Sequence, residues 1–170
     1  MENGKQFTIF TGILNGKYMT TFIGEYSIKV DEKGRMMLPS AFKKQIPEAA
    51  KDTFVVKKDI YENCLVLYPL DEWERQNQII RNNLNPYNKE HNAFLRGFYK
   101  GSAEISLDNT NRMLIPKRLL VEAGIDKDAV LAGQDSKIEV WSKERYDKIK
   151  VGEDFANLAE KIMGGNLNKT

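Results

Sequence analysis

Tyr26, Ile28 and Val30 alternate with Ser27 and Lys29, the period-two pattern of a half-buried strand. Asp31-Glu-Lys-Gly-Arg35 breaks that alternation. An Asp can accept from backbone two residues on, and Gly34 supplies a positive φ, so the segment reads as a hairpin loop closing with a bulge. Met36-Met37-Leu38 returns as a strand, and Pro39 stands where a first helical turn would start. The pattern then predicts a helix over 40–46, strands over 53–57 and 65–68, and a helix from Asp71 to Leu84. Pro86 opens a further helical stretch over 87–99, with Ala93, Phe94 and Phe98 on one side.

The pattern recurs. With Gly24 set on Gly101, Ile28 meets Ile105, Asp31 meets Asp108, Arg35 meets Arg112, Met36 meets Met113 and Pro39 meets Pro116, so six of the sixteen positions 24–39 are identical. Asp52-Thr-Phe-Val-Val matches Asp128-Ala-Val-Leu-Ala at an offset of 76, and Leu65-Val-Leu-Tyr matches Ile138-Glu-Val-Trp at 73. A three-residue insertion near Tyr61–Asn63 accounts for the slip. Three blocks in one order are an internal duplication. In the second copy Asn111 replaces Gly34, and Asn is the next most tolerant residue for a left-handed backbone, so the turn chemistry is kept while the identity is lost. Return strand Met113-Leu114-Ile115, a helix over 117–123 stopped by Gly124, strands over 129–132 and 138–141 and a helix from Ser142 to Lys150 complete this copy.

The chain thus divides into residues 1–18, a first repeat over 19–84, a helical linker over 85–100, a second repeat over 101–150 and a C-terminal helix and tail over 151–170. Residues 1–18 have no counterpart and are expected to be a poorly ordered extension or a misassigned start; the alternative is an extra edge strand packed through Phe7, Ile9, Ile13 and Leu14. The last helix, over 153–163, carries Phe155, Leu158, Ile162 and Met163 as an apolar stripe.

Composition removes several possibilities. The 170 residues are 41% hydrophobic and 29% charged, with net charge +2, so any nucleic-acid role must rest on local clustering rather than total charge. Cys64 is the only cysteine, which excludes an intramolecular disulfide and a multi-cysteine zinc site. No stretch approaches the ~18 apolar residues of a membrane span, and the N-terminus lacks a signal-peptide layout. His91 is the only histidine, and no Gly-x-x-x-x-Gly-Lys, Gly-x-Ser-x-Gly or His-Glu-x-x-His occurs. Most nucleophilic and metal chemistries therefore lack parts. The expectation is a non-enzyme with no cofactor, metal or small-molecule substrate. His91 reads as a solvated surface residue, Cys64 as buried and inert, Trp73 and Trp141 as packing residues, and the charges of 143–150 as a solvated helix face.

Phe22-Ile-Gly-Glu-Tyr-Ser, Asp31-Glu-Lys-Gly-Arg, Leu38-Pro and Leu65-Val-Leu-Tyr-Pro-Leu-Asp-Glu-Trp resemble the MraZ family, as do Gly101-Ser-Ala-Glu, Asp108-Asn-Thr-Asn-Arg, Ile115-Pro and Ile138-Glu-Val-Trp-Ser. The resemblance covers roughly 22–150, both Asp-x-x-x-Arg motifs included. It implies an α+β, β-rich fold: two AbrB-type swapped-hairpin repeats forming a pseudo-twofold β-barrel-like core with flanking helices. It also implies a ring-shaped homo-oligomer that binds repeated sites in double-stranded DNA upstream of its own operon, the bacterial division and cell-wall gene cluster, and regulates transcription. The implied location is cytoplasmic and nucleoid-associated. Carried onto this sequence, DNA contact falls on Asp31 and Arg35, with Lys33, and on Asp108 and Arg112, while Gly34 and Asn111 set turn geometry. The second turn reads Asn-Thr-Asn where a Lys and a Gly are usual, so the first copy is expected to be the stronger DNA contact.

An Arg at the end of a hairpin turn can bond guanine O6 and N7 or hold a phosphate. Lys29, Lys43, Lys44, Lys117 and Arg118 lie nearby in sequence as supporting phosphate contacts. The competing reading makes each Asp–Arg an ion pair that braces a turn. For the two Asp residues bracing is the better assignment, because a carboxylate repels phosphate. Two other functions stay open: a ring-forming protein-interaction module, and an antitoxin-like AbrB-type protein, which would carry a disordered toxin-binding tail.

Overall fold

The computed structural model describes residues 13–14, 17–18 and 20–166. Two-residue strands β1 (Ile13–Leu14) and β2 (Lys17–Tyr18) pair with each other; the rest of the expectation for 1–18 lies outside the described residues. The first copy follows as β3 (Glu25–Lys29), β4 (Arg35–Met37), α1 (Ser40–Gln45), β5 (Thr53–Lys58), β6 (Leu65–Pro69) and α2 (Leu70–Asn83). Helix α3 (Lys89–Tyr99) leads to β7 (Ala103–Ser106), β8 (Arg112–Leu114), α4 (Lys117–Glu122), β9 (Asp128–Gln134), β10 (Lys137–Ser142) and α5 (Lys143–Asp147), and α6 (Phe155–Met163) ends the described chain save for one short turn. Helix α3 begins later than Pro86 suggests because Asn88 caps it, its side chain accepting from the N–H groups of Glu90 and His91.

The six-stranded antiparallel sheet has the order β3-β9-β10-β6-β5-β7. Its two ends show the exchange between copies. Strand β3 of the first copy lies on β9 of the second, with Tyr26 opposite Leu131, and β7 of the second lies on β5 of the first, with Ile105 opposite Phe54. At the middle β6 meets β10, with Leu67 opposite Ile138. A second ladder pairs β4 with β8. Its register sets Met36 against its own repeat equivalent, Met113, and sets Arg35 against Leu114 and Met37 against Arg112, a symmetric exchange about one point.

The barrel expectation needs correction: the fold is α+β with antiparallel sheets and helices, and no closed barrel is found among the described residues. Each turn carries its hairpin out of the six-stranded sheet into the three-residue β4–β8 ribbon, leaving β3 and β7 with one neighbour each in that sheet. The core is nonetheless single. Phe22, Met36, Leu38, Phe42, Phe54, Leu65 and Leu67 of the first copy pack with Met113, Ile115, Leu119, Leu131 and Ile138 of the second. Neither half encloses that core alone, which fits the small-domain limit on independent stability. Strand β6 is buried at every residue, as its unbroken apolar run requires. A Cβ on Gly133 would sit 2.2 Å from the Phe22 carbonyl oxygen, so only glycine lets the two backbones close here.

The single residues mostly lie as expected. Cys64 is buried 3.7 Å from a Glu139 carboxylate oxygen, and burial pushes its thiol pKa up, so it is inert. Trp141 is buried, and Trp73 packs among Tyr68, Phe98 and Tyr99. His91 lies in an exposed stretch and gains a partner that the sequence did not announce. Its Nδ1 accepts the Asn85 N–H at 2.8 Å, so the ring ties the α2–α3 loop to α3. The apolar residues of α6 form a stripe as expected, and that stripe faces outward, with Phe155, Leu158, Ile162 and Met163 all exposed. Among the described residues no helix is long and apolar enough to cross a membrane.

Candidate nucleic-acid interface

The two Asp-x-x-x-Arg segments fold into one structure twice. In the first, the Asp31 N–H donates to the Arg35 carbonyl at 3.0 Å and the Gly34 N–H to the Asp31 carbonyl at 3.0 Å. In the second, Asp108 and Asn111 repeat these bonds at 2.9 and 3.0 Å. Gly34 and Asn111 both take positive φ, +89° and 60°, as the substitution predicts. The turns are also tied across the copies: the Ile115 N–H donates to the Gly34 carbonyl and the Leu38 N–H to the Asn111 carbonyl.

Each Asp faces its own turn. Asp31 Oδ1 accepts the N–H groups of Lys33 and Arg35 at 2.9 and 2.8 Å, and Oδ2 accepts Arg35 Nε at 2.7 Å. Asp108 Oδ1 accepts the Thr110 N–H, the Thr110 hydroxyl and the Arg112 N–H at 2.8, 2.7 and 3.0 Å, and Oδ2 accepts Arg112 Nε at 3.2 Å. Thr110 Oγ1 also accepts Arg112 Nε, at 2.9 Å. These donors hold both carboxyls below the ordinary carboxylate range. For Asp31 the backbone N–H of Arg35 is the main cause; Asp108 is held at about 2, first by the Arg112 N–H and then by the Thr110 hydroxyl. Such ion pairs near the surface add little stability. Their effect is orientation: Nε is held by the turn's own carboxylate, the half-buried side chains keep 35% and 38% exposure, and the Nη atoms make no hydrogen bond among the described residues, which leaves two donor groups on each fork for a ligand.

The β4–β8 ribbon brings the two turns together. Met36 and Met113 point into the core, 1% and 0% exposed. By strand alternation Arg35, Met37, Arg112 and Leu114 then occupy the opposite face. Directly opposed residues on one face stand roughly 4.5–5.5 Å apart between Cβ atoms, so the two arginines form a diagonal of one small patch. A two-stranded ribbon of this width fits a B-DNA major groove about 12 Å across.

The supporting cations separate into two groups. Lys29 pairs with Asp128, Lys43 with Asp52 at 2.5 Å, and Arg118 Nη1 donates to the Gly101 carbonyl at 2.8 Å. Lys33, Lys44 and Lys117 are exposed, with no hydrogen bond from their side chains among the described residues. Among the described residues no group of His, Cys, Asp and Glu is placed to hold a metal.

A family model described as "MraZ protein, putative antitoxin-like" matches residues 21–97 and again 98–162. The chain belongs to the MraZ family. Its relatives include "Transcriptional regulator MraZ" of Flavobacterium psychrophilum, 45% identical over 153 residues, covering 88% of this chain and 96% of the relative. The same protein of Christiangramia forsetii is 42% identical over 152 residues, covering 87% and 96%, and that of Clostridium tetani 38% identical over 142 residues, covering 83% and 96%. These relatives are named as regulators of transcription, in agreement with the non-enzyme reading, and the two matches of the MraZ model restate the duplication. In this MraZ-family chain two patch residues, Met37 and Leu114, escaped the sequence reading, although each is 55% exposed beside an arginine. Alternation separates Met36 from Met37, but which of the two faces inward depends on the sheet behind them.

Proposed function

We propose that this protein is a sequence-specific DNA-binding transcriptional regulator whose β4–β8 ribbon enters the major groove and whose Arg35 and Arg112 contact guanine edges or phosphates. The observation that carries the reading is the repeated Asp-held arginine with unbonded Nη groups, set on a symmetric two-stranded ribbon whose other face is filled by Met36 and Met113. Asp31 and Asp108 position the arginines and need not touch DNA. Lys33 and Lys117 are the better phosphate contacts, since Lys29, Lys43 and Arg118 already have partners within the chain. Family membership supports the rest of the proposal: repeated sites upstream of its own operon in the division and cell-wall gene cluster, assembly into a ring-shaped homo-oligomer, and a cytoplasmic, nucleoid-associated location. One patch neutralises few phosphates, and a ring of subunits multiplies them through effective concentration. The ordered α6 weighs against the antitoxin alternative, which calls for a disordered tail.

The test is binding of a duplex from the upstream region by wild type, Arg35→Ala, Arg112→Ala and the double variant across a salt series. Loss of about 1–3 kcal/mol per Arg is expected, with relaxed sequence preference. An unchanged, salt-insensitive affinity in the double variant, with a lowered melting temperature, would return both arginines to the role of turn braces.

A further inference from the structure

The four outward residues of the β4–β8 ribbon form a patch with arginines at one pair of opposite corners and large apolar side chains at the other. Arg35 stands opposite Leu114, and Met37 opposite Arg112. Met37 and Leu114 are each 55% exposed, while their strand neighbours Met36, Met113 and Ile115 fill the core. Isolated exposed apolar residues are common on protein surfaces. These two differ in their placement. They occupy repeat-related positions, they are bracketed by guanidinium groups with open donors, and they lie at the pseudo-dyad. A surface that only held phosphate would have no use for apolar corners, because phosphate is met by charge and N–H donors. In the major groove, thymine presents an apolar C5-methyl group and guanine presents O6 and N7. Opposed Cβ atoms on such a ribbon stand about 5 Å apart, so an Arg and an apolar side chain that start from one such pair suit a guanine and a thymine in neighbouring base pairs.

We propose that Met37 and Leu114 are specificity-determining residues that pack on thymine methyl groups beside the guanines taken by Arg112 and Arg35. The inference rests on the DNA-binding reading above and deepens it. It makes the patch a mixed reader, with hydrogen bonds for guanine and apolar contact for thymine. The approximate two-fold of the ribbon gives each half of the patch one residue of each kind.

Deoxyuridine tests this directly, since it differs from thymidine only by the C5-methyl and keeps every hydrogen-bonding group. The full-length protein is titrated, at one fixed salt concentration, with the upstream duplex made with thymine and with the same duplex made with deoxyuridine. Each methyl buried is worth about fourfold in affinity, so wild type should lose about fifteenfold for two. Met37→Ala with Leu114→Ala should bind the two duplexes alike, and Met37→Leu with Leu114→Met should restore the preference. Both sites are exposed, so melting temperatures should stay near wild type. Binding of both duplexes equally by wild type overturns the thymine assignment and leaves DNA binding intact. Binding of neither overturns the DNA reading itself. A double alanine variant that keeps its full thymine preference but changes oligomeric state by native mass spectrometry would assign the corners to a contact between copies and overturn the inference.

Discussion

Asp31-Glu-Lys-Gly-Arg35 and Asp108-Asn-Thr-Asn-Arg112 have one backbone and two sets of side chains. In the first turn Lys33 contributes only its N–H to Asp31 and leaves its ammonium in solvent. In the second, Thr110 contributes N–H and hydroxyl to Asp108 and accepts Arg112 Nε as well. The first turn thus adds an exposed charge, and the second adds a hydroxyl that bonds both Asp108 and Arg112. The sequence ranks the first copy above the second on charge. The geometry adds that Arg35 Nε rests on one carboxylate at 2.7 Å, whereas Arg112 Nε is shared between Asp108 at 3.2 Å and Thr110 at 2.9 Å, so the copies differ in kind as well as charge. Asp and Arg at the turn ends make the frame, and the three residues between them tune it.

Substitutions at the positive-φ positions should break the comparison most strongly. A Cβ on Gly34 would lie 2.7 Å from the Ile115 carbonyl oxygen, which is backbone and accepts no easy shift. Gly34→Ala should therefore cost about 2–3 kcal/mol in chemical denaturation. Asn111→Ala meets only the left-handed backbone penalty, about 1 kcal/mol. Equal losses would mean that the two turns carry the same steric load.

A smaller effect concerns charge. Lys33→Ala should weaken DNA binding evenly across sequences and reduce the slope of log affinity against log salt by about 1. Thr110→Lys, which gives the second turn the first turn's cation, should raise that slope by a similar amount. A slope that ignores both changes would remove charge as the difference between the copies.

The smallest effect is on a single titration. Asp108 lies at about 2 against an ordinary 3.8. A depressed carboxyl contributes stability above its unfolded value and loses it as pH falls through the folded one, here between 3.8 and about 2. Thr110→Val removes a donor to the ionised form, so the Asp108 midpoint should rise in a carboxyl-carbon NMR titration while Asp31 stays in place. An Asp108 midpoint that does not move would show that the backbone N–H groups suffice.

Much of the architecture is legible along the chain because it is encoded locally. Turn chemistry sits within five residues, so the hairpins at Asp31 and Asp108, the helices after Pro39 and Pro116 and the strand order within each copy all follow from neighbours in sequence. Partners distant in sequence leave no such mark. Nothing in the spacing of Lys29 announces Asp128, and nothing around His91 announces that its Nδ1 holds the Asn85 N–H. The open sheet is another such case, since closure depends on which edges meet and not on the alternation within any strand.

The sequence by itself determined the duplication, the paired Asp-x-x-x-Arg turns and the need for Gly or Asn before each Arg. Only the tertiary structure decided that the copies exchange strands, that Met36 meets Met113, and that Met37 and Leu114 face outward between the arginines. The physical reason is that a strand three residues long has no preferred face of its own. Its two sides are chosen by the core it closes, and a shift of one residue would bury both arginines and expose both core methionines.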